Sequence, residues 1–164
     1  MKLLTDVLLF SWPLLVFLSE IYFSIRVIYL IKNKIKIDIF TEIIDFLFII
    51  YVIFLFYIVT ISKYNYKVVN LNLFSEIFRY EVGSKLFIKN ILGNLLLLIP
   101  YIFYILYRFK INRLYLIILL TFSFSVTIEF IQLKVGRVFD VDDIMLNTVS
   151  SIIGYYLYRL CKIE

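Results

Sequence analysis

The sequence predicts an all-α fold: a polytopic membrane helix bundle of about five transmembrane helices, with a further helix lying flat at the outer interface. Three observations carry that reading. The 164 residues are 63% hydrophobic and 20% aromatic, with a mean hydropathy of +0.99, whereas a soluble domain is nearer half apolar and needs polar residues to cover itself. The apolar residues gather into runs of about 20, the length a helix needs to cross a hydrocarbon core. The lysines and arginines collect in short stretches between those runs, where membrane topology places them. A chain of this length is expected to form one membrane domain, residues 1–164.

The first span is expected within Leu3 to Ile31, a run interrupted by Glu20 and Arg26. It is longer than one crossing needs, so it is expected to tilt, to kink at Pro13 or to lie partly along the interface. The remaining spans are expected at about Ile43 to Ile61, Leu86 to Tyr107, Leu114 to Leu133 and Asp143 to Leu160. In the loop before the third span, Leu73, Phe74, Ile77 and Phe78 separate from Ser75, Glu76 and Arg79 at helical spacing. That segment is the interfacial helix, a lid or a gap filler.

Short positive loops set the orientation. Lys32, Lys34 and Lys36 follow the first span, Arg108, Lys110 and Arg113 follow the third, and Arg159 and Lys162 end the chain. With five spans these three stretches share one side. The other side carries the N-terminus, the loop from Lys63 to Lys85 and the segment GRVFDVDD, where positive charge (Lys63, Lys67, Arg79, Lys85) is mixed with acids. The expectation is a multi-pass protein of the bacterial cytoplasmic membrane, its N-terminus outside and its C-terminus cytoplasmic. The N-terminal run is not expected to be a cleavable signal, because it is long, contains Trp12-Pro13 and lacks a small-residue cleavage site.

Composition also excludes. There is no His, so imidazole bases and His-ligated metals are ruled out, and the lone Cys161 builds neither a disulfide framework nor a thiolate cluster. No metal and no cofactor are expected. The net charge of +5 lies in topological loops, so the expected partner is the lipid bilayer and not nucleic acid. Alanine is absent while Ile, Leu, Phe, Tyr, Lys and Asn abound, the pattern of an AT-rich genome. The aromatic count therefore marks no cofactor box.

The chemistry concentrates in GRVFDVDDIMLNT (Gly136 to Thr148), where Arg137, Asp140, Asp142 and Asp143 lead into an apolar helix. A carboxylate at the hydrocarbon edge costs several kcal/mol unless it is paired, hydrated or used. Polar residues in neighbouring spans recur at one-turn intervals: Asn90 and Asn94 beside Gly93; Ser125, Glu129 and Gln132; Asp140, Asp143, Asn147, Ser150 or Ser151, and Gly154. With the orientation above, these three faces aim amides and carboxylates at one another in the outer half of the membrane. Lys89 and Arg137 are the nearest cations, and the planar fork of Arg137 suits a carboxylate or a phosphate.

Each group has a structural reading beside the functional one. Asn90 and Asn94 can be interhelical glue, and Ser150, Ser151 and Gly154 small residues that let helices approach. Arg137 with Asp140 and Asp143 can be a salt bridge closing the last helical hairpin. Glu129 stands apart, because an acid in mid-helix must be neutralised by a proton or a cation. In the first two spans, Glu20 and Arg26 can pair within the bundle or snorkel, and Glu42 and Asp45 suit a helix start.

At these residues the chain resembles the VanZ-like family of small bacterial membrane proteins. The likeness lies in NLNLF (Asn70 to Phe74), KNILGNLLLLIP (Lys89 to Pro100), SVTIEFIQL (Ser125 to Leu133) and GRVFDVDDIMLNTVSSIIGY (Gly136 to Tyr155), in that order, over about residues 70–155. It departs from the family's pattern at Leu73, where Pro is usual, and at Ser150-Ser151, where Gly-Gly is usual. The resemblance implies a cell-envelope role tied to glycopeptide antibiotics, teicoplanin above all, and it implies no reaction.

Three functions fit. The first is an envelope protein whose outward polar pocket, built from Asn90, Asn94, Gln132, Arg137 and Asn147, binds a lipid-linked wall precursor or an anionic lipid headgroup. The second is a membrane enzyme on a lipid phosphate or wall precursor, with Glu129, Asp140 and Asp143 as acid and base or as ligands to Mg²⁺. The third is an ion-coupled transporter with Glu129 as its relay.

Overall fold

A computed structural model of the chain describes residues 17, 20–33, 38–61 and 68–161. The elements run α1 (residues 20–33), α2 (Ile39–Ile61), β1 (Val69–Asn70), α3 (Ser75–Arg79), α4 (Lys85–Leu97), α5 (Ile99–Phe109), α6 (Leu114–Lys134), β2 (Phe139–Asp140) and α7 (Val141–Cys161). The expected first span lies largely outside the described residues, as do Pro13, Lys34, Lys36, Lys63, Lys67 and Lys162. Contacts divide the chain into two units, Met1–Ile58 and Val59–Glu164.

In the first unit α1 meets the start of α2 through charge. Arg26 grips Glu42 with Nε and Nη2, the latter at 2.7 Å, and both side chains are under a fifth exposed. Tyr22 Oη donates to Asp45 Oδ2 at 3.2 Å. Of the two roles open to Arg26, pairing within the protein is the one observed. Asp38 caps α2, its Oδ1 accepting the Phe40 N–H at 3.2 Å.

The second unit is organised around α7, which packs on α4, α5 and, most extensively, α6. The stretch expected as one span over Leu86 to Tyr107 is two helices. Pro100 has no N–H to give Leu96 and its ring crowds that carbonyl, so the helix breaks at the fully buried Leu98 and restarts as α5. Ser84 caps α4 by accepting the Phe87 N–H.

Among the described residues three stretches are long and apolar enough to cross a membrane: Ile39–Thr60, Lys85–Phe109 and Leu114–Lys134. Their lengths match three of the five expected spans. The expected fifth, α7, has 21 residues, but its polar stripe makes it less apolar. That stripe faces protein: Asp142, Asn147, Ser150, Ser151 and Gly154 are buried while Val149, Ile152 and Leu160 are exposed. The helix expected over Leu73 to Tyr80 is α3, only five residues long, with Phe78 79% exposed.

The α6–α7 hairpin turns on Gly136. Its φ of +85° is the left-handed conformation that glycine adopts without strain. The Arg137 N–H reaches Gln132 O at 2.9 Å and the Gly136 N–H reaches Leu133 O at 3.2 Å, which is the Schellman arrangement that satisfies the last carbonyls of a helix. At the far end, Tyr155 Oη donates to Asn112 O at 2.8 Å. Gly154 sets how near α5 can come: a Cβ there would lie 3.0 Å from Ile102 Cδ1 and 3.1 Å from its Cγ2.

Gly154→Ala is therefore expected to destabilise by about 1–3 kcal/mol, the usual cost of overpacking a core. Combining it with Ile102→Val, which removes Cδ1, should cost less than the two changes summed. Thermal unfolding of the four proteins in detergent checks this, and strict additivity contradicts it.

Candidate functional site

Polar groups from α4, α6 and α7 and from the segment 68–75 meet where α7 begins. Asp140 immediately precedes α7 and caps it: its Oδ1 accepts the Asp142 N–H at 2.9 Å. Its Oδ2 accepts from Asn70 Nδ2 at 3.0 Å, and its own N–H donates to Glu129 Oε2 at 2.9 Å. Glu129 is 1% exposed, and Asp143, Arg137 and Asp140 are close enough for their charges to act on it. One residue thus ties α6, α7 and the preceding loop.

That loop is held at two further points. Val69 and Asn70 pair in parallel with Phe139 and Asp140, the Phe139 N–H bonding Val68 O at 2.9 Å. Phe74 has φ +66°, a conformation that costs a bulky L-residue about 1–2 kcal/mol. Its N–H donates to Asp142 Oδ1 at 2.6 Å, and Asp142 is fully buried. Asn70 Nδ2 also reaches Ser75 Oγ at 2.6 Å. The loop from Val68 to Ser75 is a strap bound to the start of α7 by two aspartates. Asp142 and Asp143 lie in that helix's first turn, where the dipole favours acids.

Deeper in the bundle, Asn94 of α4 donates to Asp143 Oδ1, and Asn147 Nδ2 donates to Ser125 Oγ at 2.9 Å. The hydrogen bonds of the predicted residues fall into three sets, Glu129 with Asp140, Asn94 with Asp143, and Asn147 with Ser125. Gln132 is 7% exposed on the same face of α6, and among the described residues its amide forms no hydrogen bond. Asn90 sits half-buried one turn before Asn94, and Lys89 is exposed. Arg137 Nη1 donates to Val59 O at 3.3 Å.

Two participants are absent from the expected set. Asp142 falls off the stripe running from Asp140 to Asp143 and Asn147, yet it is the more buried aspartate of the first turn. Asn70 lies in a loop that carries no helical period. The signal available for both was the shared occurrence of NLNLF and FDVDD in the motif set.

Each of the four carboxylates accepts at least one N–H from a backbone amide or an Asn side chain. A hydrogen bond of this kind contributes about 1 kcal/mol net, and more where the acceptor is charged. Among the described residues no three His, Cys, Asp or Glu side chains are arranged to hold a metal ion.

Apolar helices that turn their polar groups onto one another define a helical membrane protein, with a polar cluster at the α6–α7 turn. The VanZ/LLP1 family model matches residues 43–162, and the chain belongs to that family. The match starts inside α2, beyond the motifs that carry the resemblance in the sequence. No curated protein and no solved structure matches the chain.

Asp142→Ala leaves the Phe74 N–H without its acceptor and is expected to cost about 1–3 kcal/mol. Asp143→Ala, at a half-buried position, should cost less. Thermal unfolding of both variants in detergent ranks them, and the reverse order contradicts Asp142 as the tie of the strap.

Proposed function

We propose that this VanZ-like protein is a multi-pass protein of the bacterial cytoplasmic membrane, with its N-terminus outside and its C-terminus in the cytoplasm. In this reading the polar cluster faces outward and takes an anionic or lipid-linked ligand of the cell envelope. Occupying that ligand reduces the access of glycopeptides such as teicoplanin to the membrane surface.

The observation that carries the proposal is Gln132. Gln132 is 7% exposed, and among the described residues no hydrogen bond engages its amide, which leaves that amide able to bond a ligand at the rim. Arg137 lies in the turn directly after it and brings a guanidinium suited to phosphate or carboxylate. Asn90, half-buried on α4 one turn before Asn94, adds an amide in this reading. The carboxylates play a different part in this proposal. They would repel an anion in the open, but each turns at least one oxygen to an N–H donor of the protein, and in this reading the ligand meets the amides and Arg137 at the rim.

Gln132→Leu and Arg137→Ala are the informative variants. Each removes a polar contact of about 1.5 kcal/mol or more, which is roughly a tenfold loss of affinity. Expressed in a teicoplanin-sensitive bacterium, the wild-type chain should raise tolerance, and both variants should lose most of the gain at unchanged membrane level. Tolerance equal to wild type in both variants would refute the site. Labelling of tags at the two termini reads the orientation, and a protected N-terminal tag contradicts it.

A further inference from the structure

At the end of the second unit opposite the polar cluster, charge of one sign collects. Arg108 closes α5, Lys110 and Arg113 stand in the turn to α6, and Arg159 lies in the last turn of α7. No Asp or Glu occurs from Val82 to Ile128 or from Ile144 to Ile163. Among the described residues no salt bridge engages Lys110, Arg113 or Arg159, and all three are exposed. Cations at the C-terminal end of a helix suit its dipole, which gives Arg108, Lys110 and Arg159 a structural role. Arg113 has no such reason: it directly precedes α6, where the same dipole opposes a cation.

Tyrosines hold the two outermost arginines in place. Tyr155, 5% exposed, donates its hydroxyl to Asn112 O at 2.8 Å and accepts from Arg159 Nη1 at 3.3 Å. The Arg159 guanidinium carbon also lies 5.6 Å from the centroid of that ring, within cation–π range. Asn112 is the neighbour of Arg113 in the chain, so one tyrosine ties the end of α7 to the turn that carries Arg113. Arg113 Nη1 in turn donates to Tyr115 Oη at 3.0 Å. A guanidinium has five N–H donors in a fixed fork, and these contacts engage one of them on each arginine. The remainder suit the oxygens of a phosphate.

The surroundings set this end at a membrane surface. Phe109, Tyr115 and Leu160 are all exposed beside the cations, and exposed tyrosine among apolar side chains is the pattern of a bilayer interface. The 21 residues of α6 put the end about 30 Å from the hairpin turn, close to the thickness of a hydrocarbon core.

We propose that this basic end is a docking surface for anionic phospholipid headgroups of the adjoining leaflet, with Arg113 and Arg159 gripping the phosphate and Lys110 adding charge. The argument is complementarity: like charges gathered here repel one another, and an anion between them removes that cost. With the orientation proposed above, the leaflet is the cytoplasmic one. The surface is separate from the rim at Gln132 and Arg137, which stands at the other end of α6.

Titrating phosphatidylglycerol into the purified full-length protein in a neutral detergent tests this, since a bound ligand raises the midpoint of thermal unfolding. The midpoint should climb with phosphatidylglycerol and hold near its starting value with phosphatidylcholine. Arg113→Gln with Arg159→Gln keeps polar side chains and removes two charges. It should raise the phosphatidylglycerol needed for half the effect by about fivefold per charge. Arg79→Gln with Lys85→Gln removes two exposed cations near the opposite end and should titrate like wild type. A midpoint that phosphatidylglycerol leaves unmoved, or that phosphatidylcholine raises equally, overturns the proposal. So does a wild-type titration in the Arg113 and Arg159 double variant, or an equal loss in the Arg79 and Lys85 one. An equal rise with inorganic phosphate assigns a soluble anion and refutes the lipid. Arg137→Ala reads the rim separately: loss of the effect in that variant alone places the lipid there, and docking at this end is then refuted.

Discussion

The hydrogen bond from the Asp140 N–H to Glu129 Oε2 is the contact on which the second unit depends. Glu129 stands 1% exposed in a helix whose other flank is apolar, and a carboxylate so placed needs donors before the helix can be buried. The nearest fixed donor is the backbone just ahead of α7. Meeting it draws the end of α6 against the start of α7 and sets where Asp140 lies. Once there, Asp140 turns its own two oxygens to the Asp142 N–H and to Asn70. The cap of one helix and the anchor of the strap thus follow from satisfying a carboxylate on another.

Backbone geometry makes that meeting possible. A non-glycine residue at position 136 would have to hold φ near +85°, and the tight return that brings Asp140 under Glu129 would be strained. Farther along, Gly154 lets Ile102 of α5 touch the α7 backbone, so α7 can be enclosed by α4, α5 and α6 together. Only an enclosed α7 can carry Asp142, Asn147, Ser150 and Ser151 away from lipid. The two glycines therefore act at opposite ends of one problem: the first aims the polar face, the second seals it.

Much of this was legible because membrane helices write themselves in composition and period. The spans over α2 and α6 follow from apolar length, and the hydrogen bonding of Asn94, Glu129, Asp143 and Asn147 lies on faces that their one-turn spacing marked. The break at Leu98 was hidden by an apolar run that continues through it, although Pro100 marked the place. Two-residue strands have no periodicity, so β1 and β2 left no trace. Asp142 was passed over for a subtler reason. Extending a helical stripe back to Asp140 chooses Asp143, but Asp140 precedes the helix, and the partner of Asp142 is a backbone N–H whose residue type says nothing. Likewise the pairing of Arg26 with Glu42 joins two helices, a relation that neither segment shows by itself.

Charged residues crowded into one motif invite the conclusion that the motif is where chemistry happens. Here the acids are the most thoroughly bonded groups of the cluster, each held by an N–H of the fold, and such groups are poor candidates for exchanging partners with a ligand. In the second unit the buried side-chain atoms without a partner among the described residues are neutral, Asn147 Oδ1 and Thr121 Oγ1. On the proposed reading the acidic motif and the ligand-binding rim are adjacent but distinct, and substitutions in the two should part company, the first lowering the amount of folded protein and the second its effect.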